Sequence, residues 1–126
     1  MKKTKMLKKN YEFKYVLSKG KYYSGKYIEA FIISNKSKNK NLLGIAIGVK
    51  IAKATQRNHI KRLIRENYKK QESNIKSGNS IVFLWKKKVD SKKANFENIK
   101  KDMNEIFDKA ELFLIEEKEW KKYLYG

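Results

Sequence analysis

The stretch Leu42-Leu43-Gly44-Ile45-Ala46-Ile47-Gly48-Val49-Lys50 decides the fold. Its side chains alternate with a period of two, as a half-buried strand requires. Leu43, Ile45, Ile47 and Val49 share one face; Gly44, Ala46, Gly48 and Lys50 share the other. After it come Thr55-Gln56-Arg57-Asn58-His59-Ile60-Lys61-Arg62-Leu63-Ile64-Arg65-Glu66-Asn67-Tyr68 and then Ile81-Val82-Phe83-Leu84-Trp85. The first of these reads as a helix over 56–71, capped by Thr55, with Ile60, Leu63, Ile64, Asn67 and Tyr68 on its inner side. The second is apolar on both faces, the pattern of a central strand. Strand 42–50, helix 56–71 and strand 79–87 thus form a βαβ unit, for which the general rule gives a right-handed crossover. The small-residue face of the first strand leaves room for another backbone or a ligand. A close contact with a helix would use the same space, and the pattern alone does not choose between them.

Outward from this unit, Asn10 caps a helix over 11–18 that ends at Gly20, with Phe13, Val16 and Leu17 as its apolar stripe. Tyr22 and Tyr23 suggest a short strand before Gly25, and 26–34 a longer one. Polar residues 35–41 read as a hairpin connection, and 74–79 as a turn containing Gly78. Residues 94–110 form an amphipathic helix with Phe96, Ile99, Met103, Ile106, Phe107 and Ala110 inward. Residues 111–125 mix acids with Trp120, Tyr123 and Leu124 and read as a helical extension. The 126 residues contain no proline and no repeat that would mark an internal boundary, so one domain is expected. The predicted class is α/β, an α+β two-layer sandwich with a four-stranded mixed sheet in the order α-β-β-β-α-β-α.

Charge narrows the function. There are 32 basic and 13 acidic residues, a net charge of +19. Residues 1–89 hold 24 bases and 4 acids, whereas 90–126 hold 8 bases and 9 acids. The excess is therefore confined to the first 89 residues, and such a field calls for a polyanion. Nucleic acid is the first candidate. An anionic membrane surface is the rival, but it needs a basic amphipathic helix with a free bulky apolar face. No cysteine is present, which excludes disulfides, thiolate catalysis and zinc-finger ligation. No apolar run reaches membrane-spanning length and the lysine-rich start lacks the apolar core of a secretory signal, so a cytoplasmic protein is expected.

Of the bases, 29 are lysines and 3 are arginines: Arg57, Arg62 and Arg65, all within nine residues of one helix. Guanidinium offers phosphate a rigid planar fork where ammonium is a point charge. Asn58, Lys61, Arg62, Arg65 and Lys69 fall on the side opposite the apolar stripe, Arg57 at its edge and His59 on its border. This ladder fits a phosphate backbone, though arginines paired with acids in a structural network would give the same pattern. Phe13, Leu17 and Phe31 could floor a groove on which unpaired bases stack, or could be plain core. Catalytic residues are not expected. His59 has no nucleophile beside it, and Glu12, Glu29, Glu66 and Glu72 are scattered without two-metal spacing.

The segment Gln56 to Tyr68 resembles the signature of the bacterial ribonuclease P protein component, which reads Arg-Asn-Arg, Ile-Lys-Arg-Leu, then Arg-Glu or Arg-Gln and an aromatic residue. Leu7-Lys8-Lys9-Asn10-Tyr11-Glu12-Phe13 with Gly20 resembles that family's first helix, Leu43 to Lys50 its strand before the motif, and Phe96 to Leu112 its last helix. Residues 7–112 are covered; 113–126 form an extension. The resemblance implies a protein that binds a large catalytic RNA, the complex removing the 5′ leader from precursor tRNA. The chemistry is then carried by the RNA with Mg²⁺ bound mainly by it, and no membrane or obligate protein partner is implied. Arg57, Asn58, His59, Lys61, Arg62, Arg65 and Lys69 would face the catalytic RNA. The single-stranded leader would lie in a cleft over Phe13, Leu17, Phe31, Ala46, Gly48 and Lys50. The resemblance also implies a left-handed βαβ crossover, against the general rule. The chain departs from the pattern at His59, which stands for the second arginine, and at Ala46 and Gly48, where a hydroxyl is common. It departs again at Ala52-Lys53-Ala54, in place of a Gly-Asn type turn. No metal ligand is assigned. The alternative from composition is a structural RNA-binding protein such as a small basic ribosomal protein.

Overall fold

A computed structural model describes residues 1–37 and 39–114. In chain order these form strand β1 (Thr4–Met6), helix α1 (Asn10–Lys19), strands β2 (Lys21–Ser24), β3 (Ile28–Ser34) and β4 (Asn41–Ala46), helix α2 (Ala54–Gln71), strand β5 (Asn79–Trp85) and helix α3 (Phe96–Lys109). The sheet is mixed and has five strands in the order β1-β4-β5-β3-β2. β1 and β4, and β4 and β5, are parallel; β5 and β3, and β3 and β2, are antiparallel. The α/β class and the βαβ unit match the sequence reading. The central place of β5 follows from its composition, since Ile81, Val82 and Phe83 are fully buried on alternating faces.

Four expectations need correction. The sheet has five strands because Thr4–Met6 adds to β4, with Met6 opposite Leu43; three residues are too few for a periodic signal. Residues 35–41 are not a hairpin, because β5 lies between β3 and β4. The connection instead crosses the end of β5, where Asn35 N–H donates to the Gly78 carbonyl and Gly78 N–H to the Lys40 carbonyl (2.9 and 3.1 Å). The strand predicted over 42–50 stops at Ala46, and Ile51 N–H closes a turn onto the Gly48 carbonyl at 3.0 Å. Neither Asn10 nor Thr55 caps its helix: the caps are Lys9 and Lys53. For α1 the Glu12 carboxylate accepts the Lys9 and Lys8 amides (3.0 and 3.3 Å), which satisfies the first turn from within. The predicted cap type appears at α3, where the Asn95 side chain accepts from Asn98 N–H at 2.8 Å. That helix ends at Lys109; Glu111, two residues on, has a φ of 56° and turns the chain, and Phe113 then bridges to Ile75. The helical extension predicted over 111–125 does not begin as predicted, since 111–114 form a turn and a β-bridge; its remainder lies outside the described residues.

Helices α2 and α3 cover one face of the sheet. Ile60, Ile64 and Tyr68 meet Ile99, Met103, Ile106 and Phe107 over Leu43, Ile45, Ile81 and Phe83, in one buried cluster. Each fully buried large side chain here contributes roughly 1.5–3 kcal/mol. Phe107 makes edge-on contacts with Tyr68, Phe83 and Phe113 at centroid distances of 6.4, 6.0 and 5.9 Å. Tyr68 and Asp102, polar side chains set among these residues, are paired. The Tyr68 hydroxyl shares a 2.7 Å bond with Thr4 and accepts from Asn41, and burial raises its pKa above the ordinary value. Asp102, 3% exposed, accepts the amides of Lys26, Tyr27 and Ile28 (3.0, 2.6 and 2.9 Å) and so fastens α3 to the β2–β3 turn. Gly25 is required there, since a Cβ would lie 2.5 Å from the Asp102 carboxyl carbon.

Among the described residues, the opposite face of the sheet carries α1 alone. Pairing register places side chains there in rows across the strands: Leu42, Ser80 and Ile33; then Gly44, Val82, Phe31 and Tyr22; then Ala46, Leu84, Glu29 and Ser24. α1 runs along the middle row, with Phe13 over Gly44 and Gly20 against Phe31. The rows on either side remain open.

Candidate nucleic-acid interface

Helix α2 carries the cations on the side away from its buried stripe. Asn58, Arg62 and Lys69 are exposed, and Arg57, His59, Lys61 and Arg65 are half-buried. Asn58, His59, Lys61, Arg62 and Arg65 come together with Thr55 around a shallow hollow of about 370 Å³. Arg62 Nη2 lies 3.2 Å from His59 Nδ1, so the histidine at the border of the cationic arc orients an arginine. Arg57 does not join this hollow. Its guanidinium turns back to donate to the Ala52 carbonyl at 2.8 Å and braces the loop before α2. Lys69, one turn beyond Arg65, lies outside the hollow.

Among the described residues the one ion pair is Glu105–Lys109, on α3. Among the described residues the three arginines are therefore not engaged by acids, so no structural ion-pair network there accounts for their clustering. An unneutralised cationic helix face is a standing electrostatic cost that a bound polyanion relieves.

The small-residue strand face splits into two cases. At Gly44 the space is filled: a Cβ there would meet Phe13 Cε1 at 2.6 Å and Leu7 Cδ1 at 3.0 Å. Gly44 is small so that α1 can seat. At Gly48 the space is open, its nearest neighbour for a Cβ being Ile51 at 3.7 Å. Ala46, Gly48 and Lys50 line a depression of about 550 Å³ with Glu29, Leu84 and Lys87. Phe13, Leu17 and Phe31 do not line it. They are partly buried between α1 and the sheet in a cluster with Val16 and Val82, and Leu84 joins that cluster to the depression.

Sequence reasoning missed Glu29 and Leu84. Alternation places Glu29 and Leu84 on definite strand faces, but only the Glu29–Leu84–Ala46 register puts them beside Ala46. Glu29 also borders a second hollow with Lys26, Lys86, Lys87 and Lys88, yet pairs with none of these lysines. Its carboxylate accepts the Tyr22 hydroxyl at 2.6 Å, and this bond raises the Tyr22 pKa. No group of three or more His, Asp or Glu that could hold a metal ion occurs among the described residues. No helix among them is long and apolar enough to cross a membrane.

A family model described as Ribonuclease P matches residues 1–111, nearly the whole described chain. The chain belongs to the ribonuclease P protein family. The ribonuclease P protein component of Clostridioides difficile is 36% identical over 111 residues, spanning 87% of this chain and 95% of that one. That of Clostridium acetobutylicum is 32% identical over 117 residues, spanning 92% and 97%. Among solved structures, the RNase P protein of Staphylococcus aureus superposes with a TM-score of 0.75 at 28% identity, covering 86% of this chain and 97% of that one. The RNase P protein of Thermotoga maritima shares the fold, with a TM-score of 0.74 at 24% identity over 83% and 96%. Membership makes the chain a ribonuclease P protein subunit, part of a ribonucleoprotein endoribonuclease whose partner is the ribonuclease P RNA. The ribosomal alternative is set aside.

Proposed function

We propose that this chain positions RNA within ribonuclease P, in the cytoplasm, and leaves bond cleavage to the RNA subunit with its Mg²⁺. The observation that carries the reading is the arginine-bearing face of α2, unpaired with any acid among the described residues. Asn58, Lys61, Arg62 and Arg65 contact phosphates of the RNA subunit, His59 holds Arg62 in place, and Lys69 extends the contact. Arg57 acts through the loop it braces.

The substrate is precursor tRNA. Its single-stranded leader lies in the depression of Ala46, Gly48, Lys50, Leu84 and Lys87, against the cluster of Phe13, Leu17 and Phe31. Lys50 and Lys87 neutralise leader phosphates; Leu84 and the missing side chains at Ala46 and Gly48 give bases an apolar place to lie. The removed leader leaves a mature tRNA 5′ end. The test is the affinity of the assembled enzyme for precursor tRNA with and without a five-nucleotide leader. The leader strengthens binding, and Gly48→Val removes the gain without changing affinity for mature tRNA. Equal affinity for the two substrates would contradict the cleft.

A further inference from the structure

Among the described residues the sheet face under α1 is open on both sides of the helix, and the proposed function uses only one side. On the other side lies a trough of about 590 Å³. Its floor is mainly apolar, formed by Leu7, Val16 and Leu42 with Ser80; Asn35 and Lys36 form its far wall. Tyr11 and Tyr15 of α1 stand one helical turn apart along the near wall and are 66% and 56% exposed, unusually open for aromatic residues beside an apolar floor.

Charge selects the occupant. Lys36 lines the trough, and Lys5, opposite Leu42 in register, faces the same side of the sheet. The one acid in the lining, Glu12, spends its carboxylate on the Lys8 and Lys9 amides. A second copy of this chain would bring another +19 against these lysines. Two exposed rings over an apolar floor with a cationic rim instead suit unpaired nucleotides, whose bases stack and whose phosphates are neutralised. α1 stands between this trough and the leader cleft, so the strand here is not the leader.

We infer that the Tyr11–Tyr15 trough binds an unpaired segment of the ribonuclease P RNA, a second contact separate from the α2 face. The inference rests on the reading that α2 grips the same RNA.

The test is binding and chemical footprinting of the full-length chain on the ribonuclease P RNA. Both tyrosines are exposed, so Tyr11→Ala/Tyr15→Ala leaves the melting temperature unchanged. The double variant weakens RNA binding roughly tenfold and deprotects one short unpaired stretch, while the footprint of α2 persists. Tyr11→Phe/Tyr15→Phe retains binding, because the stacking face is kept. Unchanged affinity and footprint in the alanine variant would overturn the inference, as would phenylalanine failing like alanine. So would a loss confined to leader-bearing substrate, or a self-association that the alanine variant abolishes. Failure of the underlying reading is separate: it shows as intact RNA binding in Arg62→Ala/Arg65→Ala.

Discussion

Phe13 lies directly over Gly44: a Cβ on the glycine would stand 2.6 Å from the ring. This contact sets how close α1 sits to the sheet, and with it the depth of the openings on either side. Gly44→Ala pushes the ring away and costs about 1–3 kcal/mol of stability, the range for overpacking a filled site. Urea unfolding measures the loss. Gly48→Ala, with open space around it, changes stability by less than about 0.5 kcal/mol.

The arginines divide by what they touch. Arg62→Ala and Arg65→Ala each weaken binding to the ribonuclease P RNA by about 1–3 kcal/mol with melting unchanged, the scale of a lost charge-assisted contact. Arg57→Ala also lowers the melting temperature, because the Ala52 carbonyl loses its 2.8 Å donor. Filter binding paired with thermal melts separates the two behaviours. A loss below about 0.3 kcal/mol at both Arg62 and Arg65 would make their clustering incidental.

Glu29 places a negative charge in a groove that otherwise offers lysines to phosphate. Glu29→Gln keeps an acceptor for Tyr22 and removes the charge. Leader-bearing precursor tRNA then binds the assembled enzyme roughly twofold to tenfold more tightly at low salt, and the gain shrinks as ionic strength rises. Weaker binding would mean that no leader phosphate passes near this carboxylate.

Asp102 is a purely structural acid. Asp102→Ala leaves the Lys26, Tyr27 and Ile28 amides without their acceptor and costs about 3 kcal/mol. Denaturant unfolding shows the loss, while RNA affinity of the folded fraction stays as in the parent chain.

Much of this was legible from residue order. The inner stripe of α2, the central place of β5 and the inward residues of α3 all follow from periodicity, which survives any tertiary arrangement. What periodicity cannot supply is pairing. β1 is too short to show a pattern, and the 35–41 connection looked like a hairpin because nothing local reveals that β5 enters between its strands. The same gap hid Glu29 and Leu84 beside Ala46. The caps failed for another reason: Asn10 and Thr55 are suitable residue types, but each helix begins a residue or two earlier, at a lysine. Gly44 and Gly48 are indistinguishable in the alternating pattern; only the position of Phe13 makes one a packing necessity and the other an opening.

Leader removal as a function of Mg²⁺ tests the central claim most directly. Cleavage of precursor tRNA by the ribonuclease P RNA is measured with and without this chain, alongside the chain alone. The account predicts no cleavage by the chain alone, and faster cleavage by the RNA at low Mg²⁺ when the chain is added. An unchanged rate at every Mg²⁺ concentration, or cleavage by rigorously RNA-free protein, would contradict it.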